Sequence, residues 1–406
     1  MKATLIPLRR ACVAATAATL LLAPAATASA YRSTTAPAPA APSPSADTTF
    51  AQLTPAVAAK LDAAIRRTMT ETKVPGVIVG LWAPGKGSYV KTFGVADKAT
   101  GAPMRTDLNV RIGSETKTFT VTALLQLVDQ GKIGLDDPIG TYIAGVPNGD
   151  RITLRELAGM RSGLFNYSED PAFDKALTSD PDHVFTPKQL LDYSFKHPVN
   201  FAPDARFEYS NTNLILLGLV IEKITGRPLA EVVNQDVIER AGLHHTLFPT
   251  GAEFPAPHAQ GYTNQTASGK IENSTNWDPS WAWAAGAVIS DLQDLRSWAK
   301  TVATGTLLTP ATQAQRLMTK PIGIPGDGYG LGIFDIQGWI GHNGSLPGYE
   351  TLTVYLPEAK ATMVILLNTD VTVNGQEPST LFGTAITSIV TPAHVYPGKK
   401  PAVHGR

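Results

Sequence analysis

The chain has 406 residues, 43% of them hydrophobic and 17% charged, with 34 basic against 34 acidic residues and a single cysteine. Zero formal net charge excludes the clustered basic excess of a nucleic-acid binder, and one cysteine excludes a disulfide framework or a cysteine-rich metal centre. The length and apolar share allow one large core or two ordinary ones, which leaves an enzyme as the expectation.

Lys2, Arg9 and Arg10 precede an apolar, alanine-rich run from Ala11 to Ala26, and Ala28-Ser29-Ala30 supplies the small residues of a signal-peptidase site. Residues 1–30 are therefore expected to be a signal peptide and the protein to be secreted. Cys12 lies inside this segment, so cleavage leaves 31 basic against 34 acidic residues and no thiol nucleophile. Residues 31–50, dominated by Ala, Pro, Ser and Thr, read as a stiff solvated linker.

Val57, Leu61, Ile65 and Met69 recur every four residues, which predicts a helix over Pro55–Thr72. Gly76–Trp82 and Gly87–Val95 flank Pro84-Gly85 and predict a hairpin. A helix is predicted over Ser114–Gln130, stopped by Gly131. From Leu135 to about Ala284 the pattern is helical or irregular, with helices near Pro187–Phe195, Asn213–Ile224 and Leu229–Ala241. Strand character returns at Tyr329–Asp335, Trp339–His342, Glu350–Leu356 and Thr362–Leu367, before a last helix at Ser379–Ile389. This order predicts an α/β (α+β) domain over residues 51–392: an antiparallel sheet completed from both ends of the chain and flanked by helices. The α/β lobe spans about 51–135 and 285–392, and an all-helical lobe is inserted at about 136–284. Residues 393–406 read as a flexible tail. A site is expected in the cleft between the lobes.

Several motifs carry no chemistry. No GxSxG nucleophile elbow occurs. Gly326, Gly328, Gly330 and Gly332 lack the following helix of a phosphate loop, and His244-His245 has no partner at metal-ligand spacing. Asp136-Asp137 precedes Pro138 and reads as a cap or turn. Neither metal nor cofactor is expected.

Three elements remain. Ser114 and Lys117 in Ser114-Glu115-Thr116-Lys117 lie nearly one turn apart on one face of a helix start. A lysine kept unprotonated by burial can take the serine proton, and the helix N-terminus offers N–H groups to an oxyanion. Alone, the same four residues are as readily a serine cap and a solvated lysine. Tyr209 and Asn211 flank Ser210 in an extended segment, so both can enter a cleft, although a helix cap beside a packed tyrosine is the plainer alternative. In Gly341-His342-Asn343-Gly344-Ser345, His342 and Gly344 share a strand face. Gly344 permits close backbone approach, and the Ser345 N–H can be a second oxyanion donor. A glycine-rich turn with a structural histidine is the alternative.

Ser-x-x-Lys, Tyr-x-Asn and His-x-Gly in this order resemble the serine β-lactamase and penicillin-binding protein family. The closer similarity is to its class C-like branch, with the soluble actinomycete D-alanyl-D-alanine carboxypeptidases and related esterases and D-aminopeptidases. The resemblance spans about Leu53 to Ile389 and includes Leu124–Lys132, Ser162-Gly163-Leu164, Glu208–Asn213 and Ala285–Ser290. It implies a sheet flanked by helices, an all-helical lobe and a site between them. It also implies that Ser114 forms an acyl-enzyme, with the N–H groups of Ser114 and Ser345 holding the oxyanion. Lys117 and Tyr209 would share the proton transfers, Asn211 would bind the substrate amide, His342 would support Tyr209, and Trp281 would border the pocket. Phe334 stands where the carboxypeptidases carry an arginine for the substrate carboxylate, and Asn343 where they carry a hydroxyl residue.

The resemblance thus implies a secreted, monomeric serine hydrolase acting on a peptidoglycan D-alanyl-D-alanine end, with an ester or a D-aminoacyl amide as the alternative substrate. A further alternative is a β-lactam or peptide binder that is acylated without turnover. The expected partners are a small-molecule or peptide substrate and a covalent β-lactam, with no nucleic acid.

Overall fold

The computed structural model describes residues 49–396. The expected signal peptide, most of the linker and the last ten tail residues lie outside this range.

Helix α1 (Pro55–Thr72) starts at Thr54, whose Oγ1 accepts the Val57 N–H at 3.3 Å, with proline at the first helical position. It leads into the hairpin of β1 (Gly76–Ala83) and β2 (Gly87–Gly94). Every residue of β1 is buried, whereas β2 buries only Tyr89 and Phe93 among polar neighbours, as an edge strand should. After β3 (Val110–Arg111), a 3-10 turn over Gly113–Glu115 opens α2 (Thr116–Asp129). This helix is buried on all sides from Thr116 to Leu127. Its threonines stay satisfied: Thr118 donates to the Glu115 carbonyl, Thr120 to Ala284 and Thr122 to Thr118.

The insertion holds α3 (Leu154–Ala158), α4 (Pro171–Ser179), α5 (Pro187–Phe195), α6 (Asn211–Thr225) and α7 (Leu229–Val232), which runs on as a π-type turn over Val233–Glu239. A two-residue ladder of β4 (Tyr262–Thr263) and β5 (Glu272–Asn273) follows, and β6 (Ile289–Ser290) pairs with β3. Then come α8 (Leu292–Thr304), α9 (Pro310–Arg316), β7 (Lys320–Pro321), β8 (Asp327–Tyr329), β9 (Phe334–Ile336), β10 (Trp339–Leu346), β11 (Tyr349–Leu356), β12 (Ala361–Leu367) and α10 (Pro378–Val390).

The large sheet has eight strands in the order β2-β1-β12-β11-β10-β9-β8-β7, every pair antiparallel. The N-terminal hairpin joins the C-terminal strands through β1 and β12, with Val77 opposite Leu367. Strands β11 and β12 are buried throughout because helices cover both faces. On one face Leu352 meets α10, which also packs on α1; on the other Tyr355 meets Ala299 and Ala303 of α8.

The β4–β5 ladder interrupts the lobe expected to be all-helical, α9 is absent from the sequence reading, and two further features depart from it. The single strand predicted over Tyr329–Asp335 is two strands, β8 and β9. The turn between them is held by N–H bonds from Gly330 to Ile333, from Leu331 to Arg316 and from Gly332 to Ala158. Helix α8, absent from the reading, starts on Asp291, whose Oδ1 accepts the N–H groups of Gln293 and Asp294. His245 Nδ1 lies 2.7 Å from Asp291 Oδ2, so the His244-His245 turn docks on this cap.

At the edges of the body, Phe50 is buried and the Ala51 N–H donates to the Val390 carbonyl at 2.7 Å. Of the tail expected from residue 393, residues 393–396 are described and held. Trp339 Nε1 donates to the His394 carbonyl, and the Tyr396 N–H donates to Thr387 Oγ1 at 2.9 Å. Among the described residues, no helix is long and apolar enough to cross a membrane.

Candidate active site

Ser114 sits in the 3-10 turn that begins α2, and two glycines let this turn press against β10. Gly113 has φ +52°, and a Cβ on it would lie 2.8 Å from the Ser345 nitrogen. A Cβ on Gly344 would lie 1.9 Å from the Ile112 carbonyl oxygen, inside any tolerable contact. The backbone of the turn that carries Ser114 and that of Gly344 and Ser345 are therefore in direct contact, with no room for a side chain between them.

Lys117, one turn on, is fully buried. Its Nζ donates to Ser114 Oγ at 2.8 Å and to the Ala285 carbonyl at 2.8 Å. Burial without a carboxylate partner holds its pKa well below the usual lysine range. Once deprotonated, the amine can keep one N–H on the Ala285 carbonyl and turn its lone pair to the Ser114 hydroxyl, reversing the hydrogen bond between them. The Ala285 carbonyl is fixed because its segment is clamped: the Val288 N–H donates to Thr116 Oγ1 at 3.0 Å and the Ile112 N–H to the Val288 carbonyl.

Tyr209 enters from the segment before α6, and Lys117 Nζ lies 4.9 Å from its ring centroid. Its hydroxyl is buried and completes no hydrogen bond of standard geometry. Burial pushes its pKa up, and Ser114 beside it pulls the other way. The loop after α3 positions this segment. Ser162 Oγ donates to Asn213 Oδ1 at 2.6 Å, and Asn166 Oδ1 accepts the Asn211 N–H at 3.0 Å. The Ser162-Gly163-Leu164 motif thus serves to seat α6.

Ser114, Tyr209, Asn211, Phe334 and Ser345 line one cavity of about 730 Å³. The Asn211 side chain also donates to Ser168 Oγ at 3.0 Å. Gly344 makes the close approach already described. Phe334 lies opposite Gly341 in the β9–β10 pair, its ring parallel to that of Tyr209 at 6.5 Å. His342 is buried on the opposite face of β10 from Ser345. Its Nδ1 lies 2.5 Å from the Asn343 carbonyl and its Nε2 3.2 Å from the Tyr329 hydroxyl, which suits an Nδ1–H tautomer accepting from Tyr329. Its ring packs 6.1 Å from that of Tyr209. Trp281 lies elsewhere: it lines a much smaller cavity with Arg111 and Trp277, and its carbonyl accepts from the Tyr167 hydroxyl at 2.6 Å.

The match to the family model described as beta-lactamase covers residues 61–381. The chain belongs to the beta-lactamase family. Within it, the chain is similar to a D-stereospecific amidohydrolase from Streptomyces sp., with 32% identity, 78% of this chain and 94% of that one covered, and a TM-score of 0.70. It is also similar to a D-amino acid amidase from Ochrobactrum anthropi SV3, with 28% identity, 77% and 91% coverage and a TM-score of 0.68. A D-aminopeptidase from Brucella anthropi is 26% identical over 316 residues, which are 76% of this chain and 59% of the relative. The chain thus spans about three-fifths of that curated relative's length. The family's members include serine hydrolases, and Ser114, Lys117 and Tyr209 lie together at the start of α2, with Lys117 Nζ 2.8 Å from Ser114 Oγ and 4.9 Å from the Tyr209 ring centroid.

The sequence reading missed the groups that face this apparatus from far along the chain. The same cavity is lined by Glu377, Asp327 and Tyr396. Asn343 Nδ2 donates to Glu377 Oε2 at 2.8 Å, and Gln337 Nε2 to Asp327 Oδ1 at 2.8 Å. Tyr329, the partner of His342, was read only as the start of a strand.

Proposed function

We propose that this protein hydrolyses amides of D-amino acids, and esters of the same acyl groups, through a Ser114 acyl-enzyme. One observation carries the substrate class: no lysine, arginine or histidine is among the described residues lining the cavity around Ser114, where Phe334 lies along Tyr209. A substrate carboxylate buried there would lose its hydration without gaining a cation, at a cost of several kcal/mol. An amide or ester without a terminal carboxylate pays no such penalty. The names of the Streptomyces, Ochrobactrum and Brucella relatives support D-configured amides over the D-alanyl-D-alanine end implied by the sequence resemblance.

Neutral Lys117 accepts the Ser114 proton as Oγ attacks the carbonyl carbon, and the N–H groups of Ser114 and Ser345 hold the developing oxyanion. The Tyr209 hydroxyl, beside both groups, passes a proton to the leaving nitrogen; collapse of the tetrahedral adduct breaks the C–N bond. Water then attacks the acyl-enzyme, giving its proton back to the Lys117–Tyr209 pair, and Ser114 is restored. The two groups titrate as a unit. The basic start and apolar run of the first 30 residues support export of the protein.

Intact mass spectrometry after treatment with a p-nitrophenyl phosphonate tests the nucleophile, with one adduct on Ser114 expected. Lys117→Ala should slow this labelling by about 10²–10⁴-fold, the range of a positioned general base. Turnover of a D-aminoacyl amide should exceed that of an acyl-D-Ala-D-Ala peptide. Absence of a Ser114 adduct would sink the serine mechanism, and a strict requirement for the terminal carboxylate would sink the substrate class.

A further inference from the structure

We infer that Trp283, braced against Gly218 of α6, is a positioning residue for Lys117: it holds the turn whose carbonyls fix the amine within reach of Ser114. The inference rests on the serine-hydrolase reading of the site and adds to it the residue that aims the base.

The turn in question is a 3-10 turn over Trp283–Ala285. Trp283 has φ +33°, on the left-handed side that glycine tolerates and a bulky residue does not. Such a conformation costs free energy and persists only where the surroundings over-determine it. Two sets of contacts do so here. The Trp283 carbonyl accepts the N–H groups of Gly286 at 3.2 Å and Ala287 at 3.1 Å, which closes the turn through its backbone. The ring closes it through packing: a Cβ on Gly218 would lie 2.8 Å from Trp283 Cζ3 and 2.9 Å from both Cη2 and the Ala284 Cβ. Helix α6 therefore leaves a notch of bare backbone at Gly218, and the indole edge and the Ala284 methyl fill it. A glycine inside a helix weakens that helix, so what this one contributes is the contact.

The braced turn acts on α2 through two successive carbonyls. That of Ala284 accepts from Thr120 Oγ1 at 2.7 Å, and that of Ala285 from Lys117 Nζ at 2.8 Å. Residues 117 and 120 are nearly one turn apart, so both bonds fall on the same face of α2. Lys117 Nζ also meets Ser114 Oγ at 2.8 Å, and the Ala285 carbonyl is the second fixed point that sets the direction of its amine. If Trp283 relaxed to a negative φ, the peptides after it would turn and carry these carbonyls off α2. An amine held at one point alone loses its direction, and a misplacement of about 1 Å costs on the order of 10²-fold in rate. Trp283 does not line the cavity that holds Ser114, so its route to the chemistry runs through the acceptor of Lys117. The same brace ties Lys117 to α6, the helix that opens on Asn211, two residues after Tyr209.

The test uses the full chain and a p-nitrophenyl phosphonate, with the second-order rate of Ser114 labelling read by intact mass. Gly218→Ala should slow labelling about tenfold by pushing on the ring, although alanine is the better helix former. Trp283→Phe, which withdraws the outer edge of the indole, should slow it about 10–100-fold. In the Lys117→Ala background each change should cost about twofold or less, because the residue they act through is gone. Gly218→Ala combined with Trp283→Phe puts a methyl group where the indole edge was, and should label within about threefold of the unmodified protein. Equal slowing with and without Lys117 would make Trp283 a structural residue only and overturn the inference, as would full labelling speed in Gly218→Ala. A combined variant slower than either single one would overturn the brace. If the unmodified protein takes no label on Ser114, the serine-hydrolase reading fails and this inference with it.

Discussion

Burial acts on the two titratable neighbours of Ser114 in opposite directions, and in each it favours the neutral form. The Lys117 pKa is pushed well below the usual lysine range because an ammonium is poorly solvated there, and that of Glu115 is pushed up because a carboxylate is. Glu115 is 1% exposed, and burial pushes its pKa up to about 8 against the pull of Thr351 and Thr353. The unfolded chain releases this proton near the ordinary value of 4.5, whereas the native protein holds it until about 8. Between those values the native state binds more protons, so stability falls as pH rises and levels off above about 8, a loss on the order of 5 kcal/mol from this group. Glu115→Gln removes the proton but keeps the shape. Its melting temperature should fall less between pH 5 and pH 8 than that of the unmodified protein, and parallel melting curves would contradict the neutral assignment. The Ser114–Lys117 pair was legible in the sequence because three residues on a helix are spatial neighbours. The carbonyl that orients Lys117 lies 168 residues away, and no local pattern encodes it.

At the scale of elements, the proposed oxyanion site depends on two of them. The turn before α2 and strand β10 touch through Gly113 and Gly344, so neither element alone would make the proposed pair of N–H donors. Gly344→Ala would put a methyl group 1.9 Å from the Ile112 carbonyl oxygen and force β10 away from the turn. Losing one oxyanion donor costs about 10²–10³ in rate, and overpacking of this kind costs about 1–3 kcal/mol in stability. Both should appear together, as slowed phosphonate labelling of Ser114 and a lowered melting temperature. Full labelling speed in a destabilised variant would detach Gly344 from the chemistry. The sequence announced β10 by its glycines and histidine but ran β8 and β9 together, since alternating glycines fit a strand as well as a turn. What breaks that run is long-range: the Leu331 N–H reaches Arg316 and the Gly332 N–H reaches Ala158. Helix α8 shows the reverse case, for Leu292, Leu295, Trp298, Ala299 and Val302 have legible helical spacing with Asp291 as cap.

For the molecule as a whole, the two ends of the described chain close the structure and one of them returns to the cavity. Strand β1 pairs with β12 and α1 packs on α10, so the fold is complete only when residues some 300 apart have met. The segment after α10 then brings Tyr396 back to the wall that holds Ser114, 282 positions earlier in the sequence. Its N–H donates to Thr387 Oγ1, and its carbonyl accepts from Thr384 Oγ1 at 2.7 Å, so the ring is pinned to the last helix. The sequence reads as tail from residue 393 because composition loosens there, and a single aromatic residue does not alter a composition. Only the fold shows what that ring covers. Tyr396→Ala removes a buried aromatic side chain, a change that costs about 3–5 kcal/mol in a packed interior. The denaturant midpoint should fall accordingly, with the slope unchanged because the rest of the body still unfolds as before. The same substitution widens the cavity beside Glu377, so KM for apolar D-aminoacyl amides should rise while phosphonate labelling of Ser114 persists. A variant with an unaltered midpoint would mean that Tyr396 rests on the body without closing it.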